Sequence, residues 1–62
     1  MNIEKLVGEL NLTCYKFNKE KKIFNKKITN YKQIQEIVSI VELLTNNNIK
    51  YMVDSDNNIV LT

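Results

Sequence analysis

Histidine, arginine, tryptophan, proline and alanine are all absent from these 62 residues, and glycine and cysteine occur once each. Each absence closes a route. Without His there is no usual general base for catalysis and no imidazole to help a lone Cys hold zinc. That one cysteine, Cys14, cannot close an intrachain disulfide. Without Arg there is no bidentate guanidinium fork, the group most often used to read guanine. The single glycine, Gly8, excludes a glycine-rich loop cradling phosphates. Long apolar runs are missing too: the longest are three residues, Tyr51-Met52-Val53 and Ile59-Val60-Leu61. A bilayer needs about 20. Nothing reads as a signal peptide, so the expectation is a cytoplasmic protein with Cys14 reduced and no membrane contact.

What is present is asparagine (ten), lysine (nine) and isoleucine (eight). All three have AT-rich codons, and short chains of this kind are common in bacterial mobile elements and phages. At 44% hydrophobic and 26% charged residues, the composition is that of a chain that folds. Residues 1–62 are expected to form a single small α+β domain. A domain this short buries only about 60% of the surface its unfolded chain exposes. With disulfides and zinc excluded, tight packing or a partner chain must supply the missing stability, which favours a homodimer.

Ile3, Leu6, Val7 and Leu10 follow the i, i+3, i+4, i+7 spacing of a helix over residues 2–10, with Asn2 as its cap and Asn11 suited to its left-handed end. Residues 12–17 and 22–29 are rich in strand formers and flank the polar loop 18–21. Pairing Phe17 with Ile23 would put both on one face. Asn30 and Gln33 carry the spacing of a capping box. The helix that follows places Ile34, Ile37, Val38, Val41 and Leu44 on one face, beside Ile40, and stops at Asn46-Asn47-Asn48. Leu43 lies far from the centre of that stripe and is either exposed or bound to a second surface. Residues 49–54 and 58–62 bracket a turn cluster, Asp54 to Asn58. The order α-β-β-α-β-β implies an antiparallel four-stranded sheet with helices packed on it.

No residue pattern here points to catalysis. Cys14 is the one strong nucleophile, and with no His or Arg beside it a core cysteine is the simpler reading. Asp54-x-Asp56-x-Asn58 copies the opening of a calcium loop but lacks its sixth-position glycine and closing glutamate, and reads as a turn. Glu36 and Glu42, six residues apart on a helix, fall on different faces. Neither an enzyme nor a cofactor or metal is expected.

Two features suggest binding. The last hairpin is apolar on both faces, which nominates Tyr51, Met52 and Val60, with Leu43, as a protein-partner surface. Lys16, Lys19, Lys21, Lys22, Lys26 and Lys27, against Glu20 alone, make residues 16–27 strongly basic. Such a hairpin suits nucleic-acid phosphates, with Tyr15, Phe17, Phe24 or Tyr31 to stack on bases, or an acidic protein. Its lysines also serve simply to keep a strand edge soluble. The reading that follows is a non-enzymatic binding module that regulates or inhibits another macromolecule by protein contact. A nucleic-acid-binding protein using the lysine hairpin is the alternative.

Overall fold

Asparagine punctuates this chain. Asn11, Asn48 and Asn57 take φ of 53°, 58° and 62°, a left-handed conformation that Asn tolerates better than most residues. Asn11 and Asn48 follow the two helices and Asn57 shapes the last turn. Between these marks, in a computed structural model that describes residues 3–62, lie α1 (Ile3–Gly8), β1 (Tyr15–Asn18), β2 (Ile23–Lys26), α2 (Gln33–Asn46), β3 (Tyr51–Val53) and β4 (Ile59–Leu61). The expected element order and the antiparallel four-stranded sheet are both present. The expected cap Asn2 lies outside the described residues.

The strands run β1-β2-β4-β3 across the sheet, so β4 pairs with β2 on one side and with β3 on the other. Residue alternation then sorts the side chains. Tyr15, Phe17, Phe24, Ile59, Leu61 and Tyr51 share one face with Val53; Lys16, Asn18, Ile23, Asn25, Val60 and Met52 share the other. Among the described residues, helices cover only the first face. Phe24 and Ile59 are fully buried there with Ile40 and Leu44 of α2, while Ile3, Val7 and Leu10 pack against the same core from the α1 side. Each of these four large buried side chains contributes about 1.5–3 kcal/mol relative to exposure.

Three expectations need correction. First, β1 begins at Tyr15 and not at Leu12, and Phe17 pairs with Phe24 while Ile23 pairs with Asn18. The connecting loop has four residues, 19–22: Lys22 enters the left-handed region at φ 55°, and β1 runs on to Asn18, one residue further than the Phe17–Ile23 pairing allows. A one-residue slip exchanges the faces. Phe24 therefore goes to the core and Ile23 to the open side. Second, Asn30 does not cap α2. Its Oδ1 accepts from the N–H of Lys32 (2.8 Å), its carbonyl accepts from Gln33 N–H (3.1 Å), and the cap position is Lys32, which makes no side-chain capping bond. Third, the buried side of α2 is centred on Gln33, Glu36, Ile40 and Leu44 and not on the Ile34–Val38 stripe. Ile34 and Val38 are 73% and 49% exposed.

Candidate functional site

The polar residues on the inner side of α2 explain its orientation. Glu36 is only 9% exposed, and its carboxylate accepts from Thr13 N–H (2.9 Å), Cys14 N–H (2.8 Å) and the Thr13 hydroxyl (2.7 Å). These main-chain donors lie just ahead of β1, so the bond set fastens the strand's start to the helix. Burial pushes the Glu36 carboxyl up, but the hydrogen bonds from Thr13 and Cys14 outweigh it and hold the group below its ordinary value. Gln33 reaches the Tyr15 hydroxyl, which donates to the Asn57 carbonyl at 2.7 Å. Burial raises the Tyr15 pKa, so the phenol stays protonated. Cys14 is fully buried and its Sγ contacts Asn30 Oδ1 at 3.2 Å. No solvent path presents that thiol to a reagent, which leaves it a packing residue.

The turn from Asp54 to Asn58 uses its carboxylate internally. Asp54 Oδ1 accepts from the N–H groups of Asp56 (2.9 Å) and Asn58 (2.8 Å), and Oδ2 accepts from Asn58 Nδ2 (3.1 Å). Asn58 Oδ1 in turn accepts from Lys26 N–H at 2.8 Å, which ties the turn to the end of β2. The Asn58 N–H is the chief cause of a lowered Asp54 pKa, with Lys26 contributing from a distance.

The structure divides the residues nominated for a partner surface. Met52 and Val60 are direct cross-strand neighbours on the open face, and Ile23 of β2 extends the row beyond Val60. Met52 is 57% exposed. Tyr51 faces the opposite way, toward the core, and Leu43 is half-buried on α2. Between α1 and the ends of the strands a groove of about 540 Å³, lined by Ile3, Phe17, Ile49 and Leu61, leaves the inner side incompletely closed.

The six lysines of the first hairpin divide as well. Lys19, Lys21 and Lys22 occupy the exposed loop; Lys16 and Lys27 border the open face near Asn25; Lys26 sits opposite Tyr15 on the other face. Lys19 approaches Glu4 at 3.9 Å, an exposed pair worth little. Of the aromatics nominated for stacking, Phe24 and Tyr15 are buried and Phe17 packs on Phe24 with ring centroids 4.7 Å apart. Tyr31 stays open, at 82% exposure, with Lys32 Nζ 5.9 Å from its ring centre.

Sequence reading missed the outer side of α2. Tyr31, Ile34 and Val38, with the exposed Ile28 ahead of them, put four large apolar side chains into solvent within residues 28–38. The signal was available: apolar residues occupy more of the α2 circumference than one packing contact can cover. No described helix is long and apolar enough to cross a membrane. No family model matches the chain, and neither curated proteins nor solved structures give a significant match.

Proposed function

We propose that this chain is a non-enzymatic module that regulates or inhibits another macromolecule by protein contact, acting as a homodimer in the cytoplasm, and that its composition reflects a mobile-element or phage origin. One observation carries the protein-contact reading: the apolar outer side of α2, Ile34 and Val38 with Tyr31, which none of the described residues covers. A protein groove is the natural acceptor for such a surface, since two helical residues four apart enter it together. Burying them on a partner recovers hydrophobic free energy that folding alone leaves unused.

The test is capture from native cells by the wild-type protein and by an Ile34→Ser/Val38→Ser double variant. The partner is retained by the first and lost from the second, while thermal melting of the two proteins stays close. Equal retention by both overturns the assignment to α2.

Nucleic-acid binding through the lysine hairpin is the second reading, favoured by Lys16, Lys19, Lys21, Lys22 and Lys27 all being exposed. With Tyr15, Phe17 and Phe24 committed to packing, such binding rests on phosphates and weakens steeply with salt. Replacing Lys21, Lys22, Lys26 and Lys27 by Gln should abolish it. A protein that binds neither DNA nor RNA at low salt ends that reading.

A further inference from the structure

We propose that two copies of this chain join edge to edge through β3, antiparallel about a twofold axis at Met52, giving one continuous eight-stranded sheet. The inference takes only its stoichiometry from the dimer named above; the surface follows from the ladder.

Asp54 N–H bonds the Asn58 carbonyl (3.0 Å) and Thr62 N–H bonds the Lys50 carbonyl (3.1 Å), so the even-numbered residues of this strand turn their main-chain groups toward β4. In an antiparallel ladder these alternate. The N–H and C=O of Tyr51 and Val53 therefore point to the free edge. A second β3 set antiparallel with Met52 opposite Met52 pairs Tyr51 with Val53 of the other copy, twice, and every outward donor meets an outward acceptor.

Side-chain chemistry selects the same register. Lys50 then lies opposite Asp54 of the other copy, and Asp54 opposite its Lys50. The Asp54 carboxylate keeps its charge while bonded within its own turn, so each side of the axis sets opposite charges across the seam. Shifting the centre to Tyr51 sets Lys50 against Met52, and shifting it to Val53 sets Asp54 against Met52. Both alternatives strand a charge beside an apolar side chain. The central register instead joins the Ile23–Val60–Met52 row of one copy to that of the other and covers Met52 and Val53, both exposed in the single chain. Tyr51 opposite Val53 is a favourable aromatic–β-branched pair on the inner face.

The other sheet edge offers no such match. Lys16 and three loop lysines, against Glu20 alone, leave β1 with an excess of positive charge, so a copy of the same edge is repelled.

The register is read directly by Met52→Cys. Paired residues without mutual main-chain bonds have Cα atoms about 4.5 Å apart, within disulfide reach. Under mild oxidation Met52→Cys should become a covalent dimer on a non-reducing gel, while Lys16→Cys stays monomeric and the buried Cys14 takes no part. Sedimentation equilibrium of Lys50→Glu, which faces Asp54 with a like charge twice, should show a dissociation constant raised at least about tenfold. A Met52→Cys protein that stays uncrosslinked, or a wild-type dimer that Lys50→Glu leaves unchanged, overturns the β3 interface. A wild-type monomer at high micromolar concentration overturns the dimer altogether. None of these results touches partner capture by α2, which Ile34→Ser/Val38→Ser tests separately.

Discussion

The two hairpins of this sheet are similar in size and opposite in how they treat their outer edge. β1 is anchored: Tyr15 is buried beneath the helix layer, and the residues before it are held by Glu36. Its solvent-facing positions and loop carry lysine. β3 has no buried residue, shows Met52 and Val53 to solvent, and is flanked by one cation and one anion, Lys50 and Asp54. Charge at a strand edge is commonly read as protection from association. Here the sign pattern decides the outcome, because like charges repel a second copy whereas unlike charges in antiparallel order attract one.

Truncating one residue from each hairpin is the strongest way to break that contrast. Phe24→Ala empties a fully buried site and should lose about 3–5 kcal/mol, enough to unfold so small a domain. Met52→Ala, on the exposed edge, should lose under about 1 kcal/mol in urea denaturation of the monomer. Similar losses at the two sites would show that the hairpins are equally buried. Next in size is Glu36→Gln, which weakens the anchor of β1 by about 1–3 kcal/mol. The folded pKa of Glu36 lies below its unfolded value, so its stabilisation is complete above about pH 4.3 and is lost as pH falls through the folded value. Acid melting curves of Glu36→Gln should accordingly be flatter below that point than those of the wild type. A parallel pair of acid limbs would remove Glu36 as the anchor.

Smaller effects compare the two turns. Lys22→Gly relieves a left-handed lysine and should raise stability by about 0.5–1 kcal/mol after the entropy of glycine is deducted. Asn57→Gly, starting from a residue already tolerant of φ 62°, should gain less. Thermal midpoints that reverse this order would place the strain in the wrong hairpin. Lys19→Gln, which removes only the exposed contact with Glu4, should change stability by less than about 0.5 kcal/mol.

Element order was legible because turn chemistry and periodicity agree: Asn11, Asn48 and the Asp54–Asn58 cluster all sit where the backbone turns. Register in the first hairpin was not, since lysine is a poor advertisement for a left-handed residue and nothing local marks Lys22. The packing side of α2 was misread for a different reason. Gln33 and Glu36 look like solvent-facing residues, yet both turn inward to satisfy Tyr15 and the start of β1. A polar pair with buried partners outweighed the apolar stripe, and Ile34 and Val38 were left outside. The sequence grouped Tyr51 with Met52 and Val60 without sorting the two faces of the hairpin. The β3–β4 register sets Met52 beside Val60 and turns Tyr51 to the other face, and Ile23 joins the row only through the β2–β4 pairing, which the sequence did not supply.

The interior place of β4 bears on how the chain is made. Every other element leaves the ribosome before residues 59–61, so β2 waits with one side unpaired until they emerge. Until residues 59–61 are free to pair, Phe24 lacks Ile59 across the ladder and β3 lacks the strand it bonds. A chain in that state shows apolar side chains and unpaired strand edges, and is a substrate for chaperones and proteases until β4 is in place.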